Sequence, residues 1–104
     1  MSFVVELSPA AVADLELLFE LLLHQAEMTE DLDRAQAAID AIRATAQHRL
    51  ATTPFSFRKA ARNPAQRELI IPLGGTGYVA LYEIVSPSRV VVLAVRHQRE
   101  EDYH

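Results

Sequence analysis

The sequence contains no cysteine among its 104 residues. Disulfides, thiolate zinc sites and a cysteine nucleophile are therefore excluded. It also lacks any apolar run near the roughly 18 residues that a membrane-spanning helix needs. The first residues show neither the basic lead nor the apolar core of a signal peptide. We therefore expect a cytoplasmic protein with no membrane contact.

Histidine spacing gives no metal site. Zinc-binding histidines typically stand four residues from another histidine or belong to a motif with a carboxylate. None of the four histidines of this sequence does so. The glycine-rich stretch Gly74–Gly77 lacks the GxxxxGK[ST] pattern of a phosphate-binding loop, and no helical pattern follows it. We interpret it as a hairpin turn. The sequence thus predicts no metal and no cofactor.

The net charge of −4 conceals an asymmetry between the two halves of the chain. Residues 1–50 hold nine acidic and three basic side chains, whereas residues 51–104 hold five acidic and seven basic ones. A domain of this length should have one core, so the two halves belong to a single domain. Its basic part can meet an anionic partner, although such a split can also serve solubility alone.

The last third of the chain predicts a sheet. Three short apolar runs, Arg67–Leu73, Tyr78–Val85 and Val90–Val95, are separated by turn signals at Gly74–Gly77 and Ser86–Arg89. Runs of this length and composition are typical of strands, and short connectors make neighbouring strands antiparallel. The third run is apolar on both faces, so we expect it in the interior of the sheet.

The first 26 residues predict one strand and one helix. Phe3–Leu7 is a short β-prone run, and we expect it to join the sheet. Ser8 and Pro9 are a helix start, with Ser8 as N-cap and Pro9 at the first helical position. We place this helix at residues 9–26. Its apolar stripe comprises Val12, Leu15, Leu18, Phe19, Leu22 and Leu23.

A second helix follows, with Thr29 as its predicted cap and Pro54 at its end or exit turn. Its apolar stripe comprises Leu32, Ala35, Ile39, Ile42, Ala46 and Leu50. Two helices with so short a connection should form an antiparallel hairpin over one sheet face. The predicted fold is therefore α+β: a short N-terminal strand, an antiparallel helical hairpin, and a three-stranded antiparallel meander.

The connector at residues 52–66 shows no clean periodicity. It places Phe55 and Phe57 beside basic residues, namely Arg58, Lys59 and Arg62. Aromatic and basic side chains together suit a nucleic-acid surface. The alternative, which we favour, is that both rings tuck under the sheet as anchors while the charges stay in solvent.

The candidate site is a cluster near the predicted sheet end. Its members are Arg67, Arg96, His97, Arg99 and Tyr103. We expect the start of the Arg67 strand and the end of the last strand to fall on the same side of the molecule. Such a cluster can bind a phosphodiester and perform acid–base chemistry on it. The alternative is a charged tail whose arginines pair with the acidic residues that follow them.

The order of these elements resembles the RelE/ParE superfamily of toxins from bacterial type II toxin–antitoxin modules. The resemblance covers Phe3–Tyr103 and is most specific in the Gly77-Tyr78…Leu81-Tyr82 strand and the Val95–Glu100 ending. It implies a compact toxin that is neutralised by a cognate antitoxin, ParD-like or similar.

The resemblance leaves two activities open. RelE-like members are ribosome-dependent endoribonucleases that cut messenger RNA, whereas ParE-like members poison DNA gyrase. RelE-like nucleases typically carry Arg where this chain has Val79, and Lys or Arg within the strand that here contains Leu69–Ile71. Tyr103 falls where those nucleases often have a catalytic Tyr, and Arg99 lies in a comparable basic segment. The His-x-Arg ending and the acidic helical hairpin look more like ParE.

We therefore expect a ParE-like toxin that inhibits gyrase, is not an enzyme and does not itself bind DNA. The resemblance then implies target contacts at Arg67, Arg96, His97, Arg99 and Tyr103. The alternative is a metal-independent endoribonuclease that acts on messenger RNA at the ribosome through Arg99, His97 and Tyr103.

Overall fold

The computed structural model describes residues 2–25 and 27–98, which contain two α-helices and five β-strands. The helices are α1 (Pro9–His24) and α2 (Thr29–Thr52), and a 3-10 helix follows at Pro54–Ser56. The strands are β1 (Val4–Leu7), β2 (Arg58–Lys59), β3 (Gln66–Leu73), β4 (Thr76–Ser86) and β5 (Arg89–His97). The predicted α+β architecture is confirmed.

All five strands form one sheet in the order β1-β5-β4-β3-β2. The predicted meander is confirmed, because β3, β4 and β5 pair antiparallel in sequence. β1 joins the sheet as expected and runs parallel to β5. β2 is not predicted by the sequence, since a strand of two residues is too short to show alternation.

α1 begins where the sequence predicts. The hydroxyl of Ser8 accepts a hydrogen bond of 3.1 Å from the Ala11 N–H, and Pro9 is the first helical residue. The helix ends at His24, two residues before the predicted end. Its buried side chains are those of Ala11, Leu15 and Leu18.

The predicted cap of α2 is wrong. Thr29 is the first helical residue, and the N-cap is Met28. The carboxylate of Asp31 accepts hydrogen bonds from the N–H groups of Glu27 (3.1 Å) and Met28 (3.2 Å). These bonds lower the pKa of Asp31 and close the first turn from within the helix. Leu32 was expected in the buried stripe, but it is 45% exposed.

The helices cover one face of the sheet and leave the other face open. Tyr78, Ala80 and Tyr82 of β4 are buried in the core that the helices share with the sheet. The β3–β4 turn is the predicted hairpin, with Gly74 at φ +59°. Pro72 pairs with Gly77 close to this turn, near the strand end as predicted.

β5 contains a β-bulge. Leu93 has no partner on β4, because the pairing shifts by one residue between Leu81 and Tyr82. Val92 and Val95 are consequently both buried, although they are three residues apart. The bulge helps to explain why the run appears apolar on both faces. β5 does lie inside the sheet, between β1 and β4, as predicted.

Candidate functional site: a cationic groove on the open sheet face

A groove of about 640 Å³ lies on the open face of the sheet. Its apolar floor contains Val79 and Leu81 of β4 and Ala94 of β5. Its charged lining consists of Arg58, Lys59, Arg62, Arg96 and Glu68. We call this surface the cationic groove, because four of its five charged side chains are basic.

One wall of the groove is built by the connector between α2 and β3. β2 pairs with the start of β3. Beyond it, the Ala60 N–H donates to the Gln66 carbonyl (2.8 Å), and the Gln66 N–H donates to the Asn63 carbonyl (2.9 Å). These bonds fold residues 60–66 into a tight loop. The loop carries Arg62 to the groove.

Phe57 fixes this connector to the core. Its ring meets the ring of Tyr82 edge-on, with 6.5 Å between centroids, and the guanidinium of Arg49 lies 5.1 Å from its centroid. Phe55 is 62% exposed, and its ring contacts that of Phe3 at 5.8 Å. The expectation that both rings tuck under the sheet is therefore correct for Phe57 and wrong for Phe55.

The charges of the groove differ in their partners. Arg58 forms an ion pair of 3.2 Å with Glu68, its cross-strand neighbour. Within the part of the chain that the structure describes, Lys59, Arg62 and Arg96 form no ion pair. These three cations are therefore available to an anionic partner.

Arg67 has a structural role that the sequence did not reveal. It lies on the helix-covered side of the sheet and is half-buried. Its guanidinium donates hydrogen bonds to the carbonyl oxygens of Phe57 (2.8 Å) and Phe55 (3.3 Å). Arg67 thus holds the connector in place, whereas Arg96 lies on the opposite face and lines the groove.

His97 lies far along the sheet from Arg67. Arg67 pairs with Tyr82 near the end of β4, and His97 pairs with Tyr78 near its start. In a meander β3 and β5 run in the same direction, so the start of one and the end of the other lie at opposite ends. The expectation that Arg67 and His97 share one side is therefore wrong. Their role as target contacts stays a prediction.

His97 has close neighbours of its own. Its Nε2 lies 2.5 Å from the Thr76 hydroxyl oxygen, and its ring centroid lies 5.2 Å from that of Tyr78. Arg99 and Tyr103 fall outside the described residues, so their predicted roles are not tested.

The sequence did not mark Val79, Leu81 or Glu68 as lining residues of a groove. The available signal was alternation along β4, where Val79 and Leu81 point away from the buried Tyr78 and Tyr82. An apolar residue in a strand is ordinarily assigned to the hydrophobic core. For this reason the sequence alone does not distinguish the apolar floor of a groove from core residues.

The described groove is equipped for binding. Among its described lining residues there is no His or Tyr, and its carboxylate is held by an arginine. Among the described residues, no group of three or more His, Asp or Glu side chains could hold a metal ion. No described helix is long and apolar enough to cross a membrane. An anionic partner with apolar side chains suits this lining.

Comparison with known proteins identifies the family. A family model described as the ParE toxin of the type II toxin–antitoxin system parDE matches residues 5–102. No curated protein matches the chain significantly in sequence. A solved structure described as the chromosomal ParDE TA system from P. aeruginosa has a similar fold, with a TM-score of 0.71 and 14% identity over 92% of this chain and 96% of that chain. The predicted resemblance is confirmed. Because the family model spans nearly the whole sequence, the chain belongs to the ParE toxin family of type II toxin–antitoxin systems.

Proposed function

We propose that this toxin arrests growth by inhibiting DNA gyrase in the cytoplasm, and that a cognate ParD-like antitoxin neutralises it by direct binding. The observation that carries the proposal is the match to the ParE family over residues 5–102. The description of the similar structure as a ParDE system supports an antitoxin partner.

The cationic groove is the surface that we assign to both partners. An acidic, amphipathic segment of the antitoxin would direct its carboxylates to Lys59, Arg62 and Arg96 and its apolar side chains to Val79 and Leu81. Because the antitoxin segment would occupy the groove, gyrase could not contact the same basic side chains. Arg96 thereby keeps its proposed role as a target contact, and neutralisation is competitive.

The alternative is a ribosome-dependent endoribonuclease that uses Arg99, His97 and Tyr103. The surroundings of His97 do not favour this endoribonuclease activity. Its ring is engaged by Thr76 and Tyr78 on the face of the sheet away from the groove. A general base needs to lie within hydrogen-bond reach of the proton that it removes.

Induction of the chain in growing cells separates the two functions. We expect growth arrest with relaxed plasmid DNA and full-length transcripts, and recovery when the antitoxin is co-expressed. Truncated transcripts within minutes of induction, with plasmid supercoiling unchanged, would contradict the proposal and support the ribonuclease.

A further inference from the structure

The helical hairpin is strongly acidic up to the start of α2. Residues 9–33 contain seven carboxylates and neither Lys nor Arg. Two of these carboxylates are engaged, because Asp14 accepts a hydrogen bond from Val95 and Asp31 closes the first turn of α2. The other five are exposed, namely Glu16, Glu20, Glu27, Glu30 and Asp33. We call residues 9–25 and 27–33 the acidic hairpin.

The same segment exposes apolar side chains. Of the seven large apolar residues that are exposed in the described structure, four lie here: Leu17 (55%), Leu21 (45%), Met28 (64%) and Leu32 (45%). Leu17 and Leu21 are four residues apart on α1 and therefore share a face, whereas Met28 is the N-cap of α2 and Leu32 lies near the start of that helix. An exposed apolar patch rimmed by charged side chains is typical of a protein contact.

Resting on the proposed function, we propose that the acidic hairpin is a second docking surface for gyrase, one that meets an electropositive, DNA-binding part of the enzyme. The sign of the charge selects the partner. A protein that binds DNA presents Lys and Arg to the phosphates, and these side chains complement the five exposed carboxylates. The same sign disfavours nucleic acid, an anionic membrane and a second copy of this hairpin.

The position of the hairpin separates it from the antitoxin site. The helices pack on one face of the sheet, and the cationic groove lies on the other. A segment bound in the groove therefore leaves the acidic hairpin uncovered. Changes on the hairpin should impair gyrase inhibition alone, whereas changes in the groove should impair both inhibition and antitoxin binding.

Two double variants test the surface in the full chain. One is Leu21→Ser with Leu32→Ser, and the other is Glu20→Gln with Glu30→Gln, which keeps side-chain size and removes charge. Val85→Ser is the matched control, because Val85 is 48% exposed and lies outside both surfaces. The readouts are the concentration that halves supercoiling by gyrase, the antitoxin affinity and the circular dichroism spectrum.

We expect the serine variant to raise the half-inhibitory concentration by about tenfold or more. The glutamine variant should raise it several-fold and flatten its dependence on salt between about 0.05 and about 0.3 M. Both should keep antitoxin affinity within about twofold of the wild type, as Val85→Ser should in every assay.

Other results overturn the proposal. If the wild type inhibits gyrase and both double variants inhibit it equally well, the hairpin does not dock, although the proposed function stands. If the variants lose antitoxin binding as well, the surface belongs to the antitoxin. A wild-type dimer that becomes monomeric in the serine variant would assign the surface to a second copy. If the wild type itself does not inhibit gyrase, both the function and the docking surface are wrong.

Discussion

The carboxylate of Asp14 on α1 accepts a hydrogen bond of 2.9 Å from the backbone N–H of Val95 on β5. Two further bonds reach the same bulge: the Ser8 N–H donates to the Val92 carbonyl (2.9 Å), and the Ser8 hydroxyl donates to the Leu93 carbonyl (3.2 Å). A bulge disrupts the hydrogen bonding between strands. Here the start of α1 supplies partners for it, which fixes the helix to the interior of the sheet.

Replacement of Asp14 should therefore destabilise the fold. Asp14→Ala leaves the Val95 N–H without its acceptor, and we expect a loss of about 1–3 kcal/mol in the free energy of unfolding measured by urea denaturation. Asp14→Asn keeps an oxygen acceptor and should cost less. Glu16→Ala, at an exposed position on the same helix, should change stability by no more than about 0.5 kcal/mol. Equal effects at the two positions would show that the Val95 bond is unimportant.

Tyr82 should make stability sensitive to alkaline pH. Its side chain is fully buried and its hydroxyl donates to the Pro54 carbonyl (2.5 Å). Burial raises the pKa of Tyr82 from 10.0 to about 12, although the charge of Arg67 acts in the opposite direction. Because the folded state holds the proton more tightly, the stabilisation is complete below pH 10 and is lost as the pH rises through 12.

The Tyr82→Phe variant isolates this effect. At neutral pH it should cost about 1 kcal/mol through the lost hydrogen bond. Between about pH 10 and about pH 12 the wild type should lose about 2–3 kcal/mol more than the variant. Urea denaturation at a series of pH values measures both quantities. Parallel pH profiles for the two proteins would show that the Tyr82 hydroxyl does not titrate as we expect.

The groove cations should govern antitoxin binding. Arg62→Ala combined with Arg96→Ala should weaken antitoxin affinity by about tenfold or more and reduce its salt dependence, because two charge contacts are lost. Both positions are exposed, so stability should change little. Arg43→Ala, at an exposed position on α2, is the matched control. Isothermal titration calorimetry at two salt concentrations measures the affinity of each variant for the antitoxin. An unchanged affinity in the double variant would show that the antitoxin binds outside the groove.

The hairpin between β3 and β4 offers a paired test of backbone strain. Gly74 has φ +59°, whereas Gly75 has no positive φ, and an added Cβ would meet nothing within 4 Å at either position. Gly74→Ala should therefore lower the unfolding free energy by about 1 kcal/mol. Gly75→Ala should be close to neutral. Equal melting temperatures for the two variants would show that the turn adjusts without cost.

Much of the fold could be predicted from local patterns. Ser8 followed by Pro9 sets the start of α1, and the meander follows from three apolar runs separated by short turns. The start of α2 could not be predicted in this way. The carboxylate of Asp31 in its first turn accepts hydrogen bonds from the N–H groups of Glu27 and Met28. Thr29 has a suitable side chain for a cap, but the N-cap is Met28.

The site was harder to predict, because it depends on strand register and direction. Arg67 and Arg96 are both basic and both lie on strands, but one faces the covered side and the other faces the groove. The bulge at Leu93 changes the alternation along β5. Such a bulge is invisible in a run of valine, leucine and alanine.

Titration of the purified chain into a supercoiling reaction tests whether this toxin inhibits gyrase. Relaxed plasmid, gyrase and ATP are held constant while the toxin concentration rises, with and without excess antitoxin. We predict that supercoiling is lost as toxin is added and is restored by the antitoxin. A folded sample that arrests growth in cells yet leaves supercoiling unchanged at every concentration would show that gyrase is not the target.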